Sequence, residues 1–238
     1  GELGEAELYE LAGQAGLEEA IQSMGSWGIP YAQPLAEALK AQHEREELAE
    51  EEPYAQGPDL AELELALDRF HYDRVLMALR GLDGNAARVR RMLGAEIDVA
   101  NIMTVLRLSA AGGAGEVLLS KYGEETFSPV LIPSGKTISF RCLANLSASA
   151  TVEEVLERLA DTPYGPVIAS APDGDITQME RELERYMTRL GMGMFRQDPL
   201  GIATVLGYIW AKENELVNLR IIGRGRAGLL GFATLNPT

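Results

Sequence analysis

The sequence predicts an all-α protein made of two copies of one helical bundle. Apolar residues recur at helical spacing, matched blocks of sequence recur in the same order in both halves, and segments with strand-like composition are few. With 238 residues, 46% of them hydrophobic, the chain is long enough to bury one or two cores. We place the first unit at residues 1–115, a linker at 116–134 and the second unit at 135–238.

The back halves of the two units carry the clearest matches. Leu67-Asp68-Arg69-Phe70 resembles Leu183-Glu184-Arg185-Tyr186 at an offset of 116 residues. Farther along, an offset of 117 pairs three polar residues with three others: Glu96 with Glu213, Asn101 with Asn218, and Arg107 with Arg224. Four matched blocks in the same order, counting those of the front halves, indicate a duplication.

The front halves match at an offset of 135 residues, where residues 17–21 meet residues 152–156. A loop and a tyrosine follow each block, as Ile29-Pro30-Tyr31 in the first copy and Thr162-Pro163-Tyr164 in the second. We therefore expect both copies to share one topology.

Within each copy the apolar residues form stripes along predicted helices. Pro34 indicates a helix start in the first copy, and Asp198-Pro199 indicates one in the second. The apolar run from Leu200 to Ala211 is shorter than the roughly 20 residues that a bilayer span needs, so we expect a buried core helix. The predicted stripes are Leu60, Leu63, Leu67 and Phe70; Met179, Leu183, Tyr186 and Leu190; and Ile202, Val205, Leu206, Ile209, Leu216, Leu219 and Ile222.

Charge and composition exclude several classes of function. A net charge of −15 argues against nucleic acid as a partner, since that affinity comes mainly from neutralising phosphates. One cysteine and two histidines leave no metal-binding cluster, and we expect Cys142 to be a small buried residue and His71 to serve packing. The acidic segment from Glu44 to Glu64 is interpreted as a solvated face.

Two motifs suggest nucleotide binding, and we reject both. Residues 223–228 match G-x-G-x-x-G, but they follow a long helix instead of a strand, and a glycine-rich helix C-terminus explains them better. Gly135-Lys136-Thr137 resembles the end of a phosphate-binding loop, yet Val130 stands where that motif needs glycine. We predict no cofactor, no metal and no catalytic residue.

Polar residues on the apolar stripes are interpreted in two ways. The six that have repeat partners are predicted to form an internal polar network, because buried charges need pairing in each copy: Glu96, Asn101, Arg107, Glu213, Asn218 and Arg224. A basic cluster without repeat partners is predicted to bind a partner: Lys212, Arg220 and Arg226.

The stretch from Asp198 to Gly225 closely resembles the final helices of the C subunit of archaeal and bacterial A/V-type ATPases, whose eukaryotic counterpart is the d subunit of the vacuolar ATPase. Residues 96–107 look like the same family's second repeat. The resemblance implies three similar helical domains around a pseudo-threefold axis, forming a funnel. The two units would then be the middle and C-terminal domains, and the first domain would be absent.

The resemblance also implies a function. Such a protein is a non-catalytic part of the central stalk, without bound cofactor and peripheral on the cytoplasmic side of the membrane. It couples the rotating shaft to the membrane ring of proteolipid subunits during proton or sodium transport linked to ATP. Two alternatives remain open: a stand-alone helical repeat scaffold or regulatory adaptor, and a hydrolase that uses the carboxylates between Glu44 and Glu64.

Overall fold

The chain is described by a computed structural model over residues 3–48, 58–82, 84–110, 131–133, 137–139, 142, 146, 151–171, 175–197 and 201–234. These residues form α-helices and connecting segments without a β-strand, which confirms the predicted all-α class. None of the helices in these ranges combines the length and the apolarity that crossing a bilayer requires.

The helices fall into two compact units. The first unit comprises Gly1–Arg80 and Val117–Ser134, and the second comprises Gly81–Glu116 and Gly135–Thr238. The first unit contains α1 (Glu5–Ala12), α2 (Leu17–Ser26), α3 (Ala32–Leu48) and α4 (Leu60–Ala78). The second contains α5 (Asn85–Ala110), α6 (Val152–Leu159), α7 (Gly165–Ile168), α8 (Ile176–Gln197) and α9 (Ile202–Thr234).

The compact units and the predicted repeats divide the chain at different places. The predicted boundary lies at residue 115, after α5, whereas the compact units place α5 in the second unit. Helix α5, the last helix of the first predicted copy, packs against α6, α8 and α9 of the second unit. It does so because α5 is apolar around most of its circumference, with Ile97, Ile102 and Val105 fully buried. The repeat boundaries themselves stay a prediction.

The first unit is built around contacts between α2, α3 and α4. Its core comprises Ile21, Ala32, Leu35, Leu39 and Leu63. At the start of α4, the Asp59 carboxylate accepts a hydrogen bond from the Ala61 amide at 3.0 Å and so caps the helix. The predicted stripe of α4 is only partly correct, because Leu60 lies in the first turn and is 64% exposed.

The acidic segment holds α3 and α4 together in its described part. Buried Gln42 donates to the Asp59 carbonyl at 3.0 Å and accepts from the Asp59 amide at 2.9 Å. Arg45 forms an ion pair with Glu62. Residues 49–57 lie outside the described ranges, and the hydrolase alternative stays a prediction.

In the second unit, the predicted stripe of α8 is confirmed in its first half, where Met179 and Leu183 are buried, while Tyr186 and Leu190 are half-buried. The prediction for α9 is wrong in the part of Leu200–Ala211 that the structure describes. Helix α9 contacts α8 through its small and aromatic residues, with Ala203 and Gly207 buried, while Val205 is half exposed. Small residues allow close approach of two helices, and this contact turns the bulkier aliphatic residues outward.

Both units contain the same aromatic arrangement at positions that the duplication pairs. Tyr31 and Phe70 meet edge to face, with ring centroids 5.4 Å apart and an interplanar angle of 73°. Tyr164 and Tyr186 meet at 5.6 Å and 73°. The front-half alignment pairs the two tyrosines that follow the loops, and the back-half alignment pairs Phe70 with Tyr186. This shared geometry supports the duplication, which stays a prediction.

Candidate interaction surfaces

Helix α9 exposes a surface that is both apolar and basic. Eight large apolar residues on it are at least 38% exposed, and all of them except Ile221 lie on one side of the helix. Three exposed cations accompany them on the same side of the helix. We call this set the outer face of α9: Ile202, Val205, Tyr208, Ile209, Leu216, Leu219 and Ile222, with Lys212, Arg220 and Arg226.

The three predicted partner-binding residues all lie on this outer face. Lys212 donates a hydrogen bond from Nζ to Oε2 of Glu215 at 2.6 Å, and this bond raises the pKa of the Lys212 ammonium group. Lys212 also lies 6.0 Å from the centre of the Tyr208 ring. Arg220 and Arg226 are exposed two turns or more farther along the helix. Their role in partner binding stays a prediction.

The predicted polar network is placed differently in the two copies. In the first copy Asn101 is buried, Glu96 is half-buried, and Arg107 pairs with Glu180 of α8 at 2.7 Å. In the second copy Asn218 and Arg224 are exposed. The side chain of Glu213 lies outside the described part of the structure. A shared internal role for these six positions therefore stays a prediction.

A buried carboxylate that the sequence reasoning missed lies at the centre of the second unit. Asp98 on α5 is fully buried, and its Oδ2 accepts hydrogen bonds from the Tyr164 hydroxyl and from the Thr137 amide, both at 3.0 Å. Burial raises the pKa of Asp98, and the hydrogen bonds from Thr137 and Tyr164 oppose that shift. Burial, and then the nearby carboxylate, raise the pKa of Tyr164. The sequence does contain a signal for this buried carboxylate, because Asp98 stands between the apolar residues Ile97 and Val99.

Several other predictions meet a different environment. Cys142 is half-buried rather than buried, with its amide donating to the Ser139 hydroxyl at 3.2 Å. His71 is exposed, and its Nδ1 lies 3.4 Å from the Tyr31 hydroxyl oxygen. Residues 223–228 lie inside α9, which continues to Thr234, so the prediction of a helix C-terminus at these residues is wrong. A dinucleotide-binding motif needs a strand and a loop here, and the structure has a helix instead. Of residues 135–137, only Thr137 lies in the described part.

The first unit contains an open apolar groove. It has a volume of about 690 Å³ and lies beside α1, α3 and α4. Its walls include Leu8, Met24, Tyr31, Leu67, Asp68 and His71. Partial burial raises the pKa of Asp68, the nearby His71 opposes the rise, and Glu64 adds to it. The groove is therefore apolar in its walls and acidic along α4.

The negative charge of the chain is concentrated in the first unit, which contains this groove. The first unit has 20 Asp and Glu against 6 Lys and Arg, whereas the second has 16 against 15. The first unit therefore attracts basic surfaces, and the second is close to neutral. Within the described ranges, no three His, Cys, Asp or Glu side chains come together as a metal site.

Comparison with known proteins places the chain in a family. The family model described as ATP synthase (C/AC39) subunit matches residues 1–230. The C subunit of the A-type ATP synthase of Methanosphaera stadtmanae is 27% identical over 84% of this chain and 48% of its own length. The Haloquadratum walsbyi protein of the same name is 28% identical, covering 96% of this chain and 60% of its own length.

A third relative, the C subunit of the A-type ATP synthase of Thermococcus onnurineus, is 31% identical over 73% of this chain and 46% of its own length. The chain thus spans about half the length of the curated relatives that it matches. The match of the family model covers nearly all of the 238 residues, including both compact units. The chain belongs to the ATP synthase (C/AC39) subunit family.

Proposed function

We propose that this protein is a non-catalytic subunit of the central stalk of a rotary A/V-type ATPase. It couples the rotating shaft to the membrane ring of proteolipid subunits while protons or sodium ions cross the membrane. It acts as a peripheral protein on the cytoplasmic side. The observation that carries the proposal is the family match over residues 1–230, together with relatives named as the C subunit of A-type ATP synthase.

The physical properties of the chain support a role in binding proteins. A coupling between two rotating parts requires packed helices and broad contact surfaces, and it requires no active site. The two units present different surfaces, one strongly acidic and one with an exposed apolar and basic helix. We include Lys212, Arg220 and Arg226 in the proposal as contact residues of the outer face of α9.

The test is to measure binding of the protein to purified shaft and to purified ring over a salt series, without nucleotide. We expect binding to both, and we expect the complex with the more basic partner to weaken as salt rises, because the acidic first unit supplies the attraction. Failure to bind either partner at low salt contradicts the proposal, as does ATP hydrolysis by the protein alone.

Two double variants with the same change in charge test which unit supplies the electrostatic attraction to the basic partner. Glu18→Gln with Glu19→Gln removes two exposed charges at the start of α2 in the acidic unit. Their repeat counterparts, Glu153→Gln with Glu154→Gln, make the same change at the start of α6. We expect the first pair to weaken binding to the basic partner by about threefold at low salt, and the second pair to leave it unchanged.

A further inference from the structure

In the first unit, an arginine on α4 holds a buried segment of the chain. Residues 131–133 are not part of a helix, and Leu131 and Ile132 are 0% and 5% exposed. Arg69 donates a hydrogen bond from Nε to the Leu131 carbonyl oxygen at 3.0 Å, and its Nη2 donates to the same oxygen. Arg69 therefore anchors an apolar peptide segment through one main-chain carbonyl group.

The second unit repeats this arginine on α8, at the offset of 116 residues that pairs Arg69 with Arg185. Arg185 is exposed, and its Nη1 forms an ion pair with Glu182, which lies one turn away on the same helix. The Nε and Nη2 groups of Arg185 have no partner among the residues that the structure describes. Arg69 binds the Leu131 carbonyl through these same two groups, so Arg185 has them available for another carbonyl oxygen.

Arg185 lines an open groove in the second unit. The groove has a volume of about 760 Å³ and follows α8 and α9, and Val99 of α5 contributes to its wall. Apolar side chains also line it, among them Met187, Trp210 and Ile221. Binding pockets commonly have volumes of about 300–1,000 Å³, so this groove has room for a short peptide segment. It combines a carbonyl-binding arginine with an apolar surface, which are the two features that an apolar segment needs.

The charges around the arginine differ between the two units. Burial lowers the pKa of Arg69, and the nearby Asp73 opposes this shift. At the same offset Asp73 is replaced by Arg189, which lines the groove one turn from Arg185 and has no partner among the described residues. Glu184 also lines the groove, about 100° around α8 from Arg185. Since Arg189 is an unpaired cation, the side of the groove that contains both arginines attracts a carboxylate.

We propose that this groove binds a short apolar peptide segment that belongs to a partner protein and carries a carboxylate. Nε and Nη2 of Arg185 donate to one main-chain carbonyl of the segment, as those of Arg69 do to Leu131. Arg189 pairs with the carboxylate, which belongs to an acidic side chain or to the C-terminus of the partner. The apolar side chains of the segment lie against the apolar wall of the groove. The proposal rests on the internal repeat and not on a role in a rotary complex.

The test is fluorescence anisotropy at low salt, in which the full chain is titrated into three synthetic peptides that carry an uncharged dye at the N-terminus. The neutral peptide repeats residues 129–133, Pro-Val-Leu-Ile-Pro, and ends in an amide. The second peptide has the same sequence and a free C-terminal carboxylate. The third ends in an amide and has a glutamate added after the last proline. Comparison of the second and third peptides identifies the source of the carboxylate.

Three single variants on α8 remove the same charge at different places. Arg185→Gln and Arg189→Gln change the groove. Arg181→Gln is the matched control, because Arg181 is exposed on α8 but is not among the residues that line the groove. All three arginines are exposed, so the changes spare the core of the unit.

We expect at least one of the two carboxylate peptides to bind about threefold or more tightly than the neutral peptide. Arg189→Gln should remove this preference, and Arg185→Gln should weaken the binding of every peptide by about tenfold, whereas Arg181→Gln should change neither. A lack of binding by all three peptides at about 1 mM protein overturns the proposal. So does binding that Arg185→Gln leaves unchanged, or binding that Arg181→Gln weakens as much as the groove variants do.

Discussion

The hydrogen bond between Tyr164 and Asp98 provides a direct test of how the second unit is held together. Tyr164→Phe deletes the hydroxyl that donates to Oδ2 of Asp98 at 3.0 Å, and Asp98→Ala deletes the acceptor. Both side chains are buried, at 1% and 0% exposure, so water cannot replace the lost partner. The two changes and their combination form a double-mutant cycle.

The expected magnitudes follow from the hydrogen bonds in the structure. Tyr164→Phe removes one hydrogen bond to a charged group and should lower the free energy of unfolding by about 1.5–3 kcal/mol. Asp98→Ala leaves the Tyr164 hydroxyl and the Thr137 amide unpaired, while it also removes a buried charge, so we expect a loss of about 2–4 kcal/mol. The coupling between the two positions should be about 1–2 kcal/mol.

The assay is urea unfolding followed by circular dichroism, with Tyr9→Phe as the control. Tyr9 is 72% exposed on α1, and its change should alter the free energy of unfolding by less than about 0.5 kcal/mol. If Tyr164→Phe and Asp98→Ala act additively, with no coupling beyond error, Tyr164 and Asp98 do not share this hydrogen bond in the folded protein.

Three further predictions concern the same unit. Burial raises the pKa of Asp98 above its ordinary value of 3.8, so the folded protein binds the carboxyl proton more tightly than the unfolded chain does. The stability that this proton binding contributes is lost as the pH rises through the pKa of the folded state. The free energy of unfolding, measured over a pH series, should therefore depend less on pH in Asp98→Asn. Gly191→Ala would place a Cβ 2.6 Å from Trp210 ring carbons and should destabilise by about 1–3 kcal/mol, whereas Gly193→Ala, with open space, should stabilise by about 0.5–1 kcal/mol, both measured by thermal unfolding. Arg107→Ala breaks an exposed ion pair with Glu180 and should cost under about 1 kcal/mol in the same assay.

The helical class was predictable because periodicity is a local property of sequence. The spacing of Met179 and Leu183 identified the buried side of α8, since both residues face one core. The same reasoning placed the stripe of α9 in a core, and the structure exposes it. An apolar stripe predicts that a surface is covered by something, but it does not state whether the covering surface belongs to the same unit.

Buried polar groups were harder to predict. Asp98 depends on partners 39 and 66 residues away, Thr137 and Tyr164, and no local pattern announces such contacts. The duplication did contain a usable signal, because position 215 repeats the acid at position 98. The residue types recur in the two copies, but their burial does not, because Asp98 is buried while Glu215 is exposed.

We propose that this protein joins a shaft to a membrane ring, and a bridging measurement distinguishes this role from binding to one partner alone. Proteolipid ring in lipid nanodiscs is immobilised, and retention of purified labelled shaft is measured with and without the protein at low salt. We expect the shaft to be retained only when the protein is present, and retention to fall as salt rises, because the acidic unit would supply part of the attraction. Equal retention of the shaft with and without the protein would show that the protein does not bridge the two.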